Sequence, residues 1–344
     1  MTAVSLVRTL AAGALALATV LAVSRPAAAQ ELNLYTTREP GLIEPLLEAF
    51  TAETGIRVKS IFIQDGLPER VAAEGAGSPA DVLMTVDLGA LLDLVQAGLT
   101  QPVDSPVLEA AIPANLRGAD GQWFTLSMRA RVVYAAADLD VTSFTYEQLA
   151  DPRWRDRVCI RSGQHPYNTA LFGAFMAHHG EAATEAWLRG IADNLARPAT
   201  GGDRDVARDI MGGICDIGFA NSYYVGLMRS GTGGPDQERW GAAIKVILPT
   251  FENGGTHVNI SGASVARNAP NREAAVRFLE YLVSDEAQRI YAEANFEFPV
   301  KPGAAVHPII KALGPLTVDP TTIVDIAKHR AAASRLVDKV GLDR

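Results

Sequence analysis

Cysteine is nearly missing from this 344-residue chain, where Cys159 and Cys215 are the only two. A lone pair argues against a thiolate metal or redox centre. Positive charge is also short. Lys and Arg number 31 against 39 Asp and Glu, a formal net charge of −8, which argues against nucleic acid and anionic membrane surfaces as partners. Long apolar runs are lacking: Leu10–Val23 is shorter than the roughly 20 residues a bilayer requires, and nothing after it comes closer. The signatures of catalysis are missing too. There is no His-Glu-x-x-His, no Gly-x-Ser-x-Gly, no P-loop and no dinucleotide glycine pattern, so an enzyme is not expected. His178-His179 reads as a solvated pair near a helix end, and His257, after Gly254-Gly255, as a residue near a cleft with no assigned role. No internal repeat or low-complexity segment is present.

What remains is the composition of a globular protein, 48% hydrophobic and 20% charged, enough for one large or two moderate domains. Residues 1–29 carry Arg8, the apolar stretch Leu10–Val23 and the small residues Ala27-Ala28-Ala29. That pattern predicts a secretory signal cleaved after Ala29 and a mature protein in an exported compartment, a bacterial periplasm. Losing Arg8 and Arg25 makes the mature chain more acidic. In such a compartment Cys159 and Cys215 are expected to form a disulfide tying two neighbouring strands.

Strand and helix signals alternate, which predicts an α/β protein with mainly parallel sheets. Strands are expected at Leu32–Tyr35, Ile56–Ile63 and Ala80–Met84, with β character resuming over Trp123–Tyr134. Leu42, Leu46, Leu47 and Phe50 recur at helical spacing before Gly55. Further helices are expected at Leu88–Ala97, Trp187–Ala196, Asp203–Met211, Arg272–Leu282, after Ser284, and at Asp325–Val340, while Ser230–Pro235 reads as a flexible loop. Strands in both halves suggest two lobes with a ligand cleft between them.

Tyr223-Tyr224 ends the apolar run Ile217–Ala220, after Asn221 and Ser222, whose side chains are of the type that accept hydrogen bonds from the first turn of a helix. On a strand the two tyrosines would point to opposite faces; in a turn that opens a helix they lie about 100° apart and can converge on one ion. Two phenolates suit a hard, highly charged cation such as Fe(III).

Several blocks, in order, carry a family resemblance: Leu34-Tyr35-Thr36-Thr37-Arg38, Ser78-Pro79-Ala80-Asp81-Val82, Leu126–Tyr134, Ala150–Trp154, Cys159–Ser162, Asn221-Ser222-Tyr223-Tyr224 and Glu273–Leu282. Together they make the chain similar to the periplasmic ferric-iron-binding proteins, the substrate-binding components of ABC importers. Most blocks specify only the wider solute-binding superfamily; the Asn-Ser-Tyr-Tyr block, with Tyr167 in His165-Pro166-Tyr167-Asn168, narrows it to iron.

The resemblance implies a two-lobed fold. Residues 30–132 and 250–298 would form the first lobe and 133–249 and 299–344 the second, with hinge crossings near Val132–Tyr134 and Lys245–Pro249. It implies Fe(III) held by Tyr167, Tyr223 and Tyr224. The branch most resembled commonly adds a His-Tyr pair after the opening Arg, but here Glu39 and Pro40 follow Arg38. Glu39 is then the candidate first-lobe ligand, since Pro40 offers no donor and the position of a Glu used by other branches is Val86, beside Asp87. Carbonate or another small anion would complete the coordination. Arg129, Arg38 and Arg161 are candidates to hold it through their guanidinium forks, and the N–H groups near Ser162 and Asn221 are alternative donors. The implied partner is an inner-membrane permease, and the protein a monomer. Without a His-Tyr pair, iron is expected to bind to the second lobe alone, with weak closure. The alternative is a binding protein of the same fold for a carboxylate, polyamine or sugar phosphate.

Overall fold

The computed structural model describes residues 31–344; the expected signal sequence and its cleavage point lie outside them. The strands are β1 Glu31–Thr36, β2 Arg57–Phe62, β3 Val82–Thr85, β4 Thr100–Gln101, β5 Phe124–Ala136, β6 Val158–Cys159, β7 Ile217–Asn221, β8 Ile244–Ile247, β9 Val258–Ala266 and β10 Phe298–Pro299. The helices are α1 Pro40–Thr54, α2 Leu67–Glu74, α3 Leu88–Gln96, α4 Pro106–Ala111, α5 Pro166–His179, α6 Glu181–Asn194, α7 Asp203–Met211, α8 Tyr223–Arg229, α9 Pro235–Ala242, α10 Arg272–Leu282, α11 Asp285–Asn295, α12 Pro308–Lys311 and α13 Ile323–Val340.

The strands run in the order β2-β1-β3-β9-β5-β7-β6. Among the named strands, parallel pairing is confined to β2-β1-β3 at one end and β6-β7 at the other. The expectation of mainly parallel sheets is corrected at the centre, where β9 runs antiparallel to β3 and β5, and β5 antiparallel to β7 and β8. The cause is the length of β5. Its first part, from Phe124 to Ala130, pairs with β9, and its second, from Arg131 to Ala136, with β7 and β8. One strand therefore serves both ends of the molecule, and it is buried from Phe124 through Ala135.

Local chemistry places the elements that matter for function. Pro40 opens α1, where its fixed φ is already helical and its missing N–H costs nothing. Gly55 closes α1 in the left-handed conformation. α5 escapes a periodicity search because Asn168 through Met176 are all buried, leaving no polar face to reveal a period. It packs against α6 and α13. Cys159 of β6 and Cys215, two residues before β7, are bonded with Cα atoms 5.9 Å apart. β6 and β7 are thus joined covalently as well as by their ladder.

Candidate metal centre

Tyr167, Tyr223 and Tyr224 line one cavity of about 180 Å³. Tyr167 is the second residue of α5, whose first position is Pro166. The N-cap is His165, whose Nδ1 accepts the Tyr167 N–H at 3.2 Å. Its ring meets the Tyr167 ring edge-on at 4.5 Å between centroids. Burial, then the nearby Arg161 charge, lowers the His165 pKa to about 4, so the accepting nitrogen stays unprotonated at neutral pH. The guanidinium groups of Arg161 and Arg129 lie over the Tyr167 ring, 5.2 and 5.6 Å from its centre.

Tyr223 and Tyr224 open α8 directly after the buried strand β7 and Ser222. Their ring centroids are 4.1 Å apart, the convergence that a helix start allows and a strand forbids. The sequence reading of Asn221 and Ser222 as helix caps is corrected. No side chain caps α8; Ser222 Oγ instead accepts the Ala130 N–H of β5 at 3.2 Å, and Asn221 Oδ1 accepts from Arg131. Both side chains are spent in fastening β7 to β5.

Burial pushes the Tyr223 phenol well above its ordinary pKa, and neighbouring Tyr167 and Tyr224 add to the shift. Burial and then the Asp203 charge raise Tyr224 as well. Both are neutral phenols at pH 7, and only a cation strong enough to displace their protons turns them into ligands. Among the described residues no group of three or more His, Cys, Asp or Glu side chains is placed to hold a metal ion.

The opposite wall comes from the loop between β1 and α1, from Leu42 of α1 and from the turn between β3 and α3. Glu39 lines the cavity, exposed, and its carboxylate caps nothing. Val86 lines it too and offers no donor. Arg38 and Arg129 reach the cavity from beneath, both buried, and each pairs with the buried Glu297, at 2.9 and 3.4 Å. Ser127 and Ser261 also hydrogen-bond within this group. Burial alone would raise the Glu297 carboxyl, but Arg38 and Arg129 outweigh it and hold the pKa below the ordinary range. Arg129 is nearly saturated, giving Nη1 to Ser261 and Glu297 and Nη2 to the Ile260 carbonyl. Arg38 and Arg129 each keep a buried Nε with no partner.

The other anion-binding candidates do not line the cavity. Arg161 and Arg131 pair with the buried Asp203 at 3.4 and 2.5 Å. Ser162 Oγ donates to Asp343 at 2.6 Å, and the N–H groups of Gly163 and Gln164 donate to the same carboxylate. The Asp343 side chain, from near the end of the chain, takes the place expected for an external anion. His178 and His179 are not solvated: His178 meets Asp319 at 3.0 Å and His179 meets Glu147 at 2.7 Å. His257 is buried, with neither ring nitrogen bonded. Glu297 was not legible as a site residue, because Phe296-Glu297-Phe298 reads as ordinary alternation along a strand.

Two groups of opposed charge thus flank the tyrosines. Arg38, Arg129 and Glu297 form one, and Arg131, Arg161 and Asp203 the other. Each sets two guanidinium charges against one carboxylate, leaving one positive charge apiece beside the phenols.

Comparison with known proteins identifies the family. A model of the bacterial extracellular solute-binding protein family matches residues 77–313. The chain is 41% identical to iron uptake protein A2 of Synechocystis, over 97% of each chain. Among solved structures it is similar to a Bordetella ferric binding protein, with 60% identity, a TM-score of 0.88 and coverage of 92% of this chain and 100% of that one. It is also similar to a Trichodesmium protein solved with iron and citrate ligands, at 40% identity and a TM-score of 0.86, covering 91% of this chain and 99% of the other. With the family model matched over most of its length and the two-lobed fold shared with its structural relatives, the chain belongs to the bacterial extracellular solute-binding protein family.

Proposed function

We propose that this protein is the Fe(III)-binding component of an ABC iron importer, a non-enzymatic carrier that captures ferric ion in the periplasm and hands it to an inner-membrane permease. The observation that carries the reading is the convergence of Tyr167, Tyr223 and Tyr224 on one small cavity. Three phenolates neutralise Fe(III) and match its hardness. The cavity, about 180 Å³, suits an ion with a small companion and falls short of the roughly 300 Å³ at which organic-ligand sites begin. That mismatch, with the iron-binding names of the relatives, speaks against a carboxylate, polyamine or sugar phosphate as cargo.

The coordination left open by three phenolates is completed by Glu39 or by a small anion. The two surplus guanidinium charges favour a dianion such as carbonate, and Arg38 and Arg129, which both line the cavity and each keep an unpartnered Nε, are its anchors. The lobes of this reading are residues 30–132 with 250–298, and 133–249 with 299–344, hinged where β5 passes Val132–Tyr134 and in the crossing from Lys245 to Pro249. Export follows from a signal cleaved after Ala29, and the carrier works as a monomer.

The test is a visible absorption titration of the mature protein with ferric citrate, repeated on Tyr223→Phe and Tyr224→Phe. A saturable phenolate-to-iron band at one equivalent, lost in both variants, is expected, and a shift of that band on adding or removing carbonate identifies the companion anion. Absence of the band, with thermal stabilisation by an organic solute instead, overturns the reading.

A further inference from the structure

The three tyrosines arrive on two separate segments, the start of α5 and the start of α8, and something must set one against the other. Arg131 is the residue that touches both. It lies on β5 and is buried, 1% exposed. Its Nη2 donates to Asn168 Oδ1 at 2.6 Å, one residue after Tyr167. Its Nη1 donates to Asn221 Oδ1 at 3.0 Å, two residues before Tyr223, and to Asp203 Oδ2 at 2.5 Å.

The partners are themselves held. Asp203 Oδ2 accepts the Asn221 N–H at 2.7 Å. Asn168 Nδ2 donates to the carbonyls of Arg161 and Ser162, both at 3.1 Å. Tyr134 donates to the Asn221 carbonyl, and Tyr146 to that of Arg131. A guanidinium holds its two terminal nitrogens at a fixed angle in one plane, so two segments bonded to one fork cannot shift independently. An ammonium carries the same charge without that geometry.

We infer that Arg131 is a positioning residue for the tyrosine site, its planar fork setting the start of α5 against the start of α8 so that Tyr167 converges with Tyr223 and Tyr224. The inference rests on the reading of those tyrosines as iron ligands. Arg131 does not touch the cargo; it acts through Asn168 and Asn221. Loosening such a support typically weakens metal affinity about ten- to a hundredfold.

Arg131→Lys and Asn168→Ala test this against Arg197→Lys. The last loosens another ion pair of low exposure, Arg197 with Asp209 at 2.6 Å, which touches neither tyrosine segment. Each variant is checked for folding by circular dichroism, then titrated with ferric citrate while the phenolate-to-iron band and the electron paramagnetic resonance of the bound ferric ion are recorded. R131K and N168A are expected to bind at least tenfold more weakly, with a displaced band and an altered ferric signal, while R197K loses thermal stability and keeps both signatures. Should R131K fail to fold, N168A alone decides, because it removes the arm to α5, with the Asn168 bonds to the Arg161 and Ser162 carbonyls, and leaves Arg131 its bonds to Asn221 and Asp203. A wild-type band retained unchanged, with unchanged affinity, in folded R131K or in N168A overturns the inference and leaves the iron reading standing. A wild type with no band overturns both.

Discussion

At the scale of single residues, protonation decides the behaviour of this site. Tyr223 and Tyr224 are held as neutral phenols by burial and by their neighbours, so iron binding must release protons and weaken as pH falls. A competition titration against citrate across pH 5–8 is expected to show that decline, and Tyr223→Phe to flatten it. Glu297 is shifted the other way, and its titration bears on the fold. Its pKa is depressed in the folded protein by Arg38 and Arg129, so its stabilisation is present above the unfolded carboxylate value of about 4 and is lost as pH falls through the folded value. Urea unfolding of Glu297→Gln at pH 7 is expected to show a loss of about 3–5 kcal/mol, the usual consequence of breaking a buried pair, and a shallower loss than wild type between pH 4 and 2. The phenols were legible in the sequence because Tyr-Tyr is an unusual donor pair. Glu297 was not, because burial and its arginine partners exist only after folding.

At the scale of elements, the disulfide and one glycine carry the sharpest expectations. The Cys159–Cys215 bridge closes a span of 56 residues, and its reduction should lower stability by about 2–4 kcal/mol through the entropy restored to the unfolded chain. Urea denaturation with and without reductant measures this. Gly226 lies in α8 against Phe296, where an added Cβ would stand 2.1 Å from Cγ and 2.3 Å from Cβ of that ring residue. Phe296 cannot swing aside easily, being the left-handed C-cap of α11 at φ 54° and the neighbour of Glu297. Gly226→Ala is expected to cost about 1–3 kcal/mol by overpacking and to weaken iron binding by displacing α8, read by thermal melting and by the same titration. Amphipathic helices such as α7 and α10 were read to the residue at both ends. α6 began six residues earlier than Trp187, since Gly180 separates it from α5 without any side-chain cap to signal a start.

At the scale of the whole molecule, α13 reaches across to α3. Arg330 Nη2 lies 3.6 Å from Asp87 Oδ1; the same oxygen caps α3, and Oδ2 of Asp87 accepts from Asn259 of β9. An added Cβ on Gly89 would fall 1.5 Å from the Arg330 guanidinium, so the absence of a side chain there is what lets the arginine lie down. In the proposed lobe division this contact joins the two lobes beside the cleft. Arg330→Ala is expected to speed iron release to a chelator several-fold without moving the absorption band, which stopped-flow measurement checks. An unchanged release rate would show that the contact does not restrain opening.

The sequence by itself determined the donor chemistry, the acidic balance and the order of family blocks, because residue type and spacing suffice for those. It also carried the α/β class, since hydrophobic period is a local property. Tertiary structure alone decided what the charged residues do. Arg38 meets Glu297 across 259 positions and Arg131 meets Asp203 across 72, and such pairings depend on strand register and burial, which no local pattern encodes. Arg38, Arg129 and Arg161, which read in the sequence as anion anchors, each meet a carboxylate once the chain folds, and with Arg131 they form the charged frame beside the three phenols.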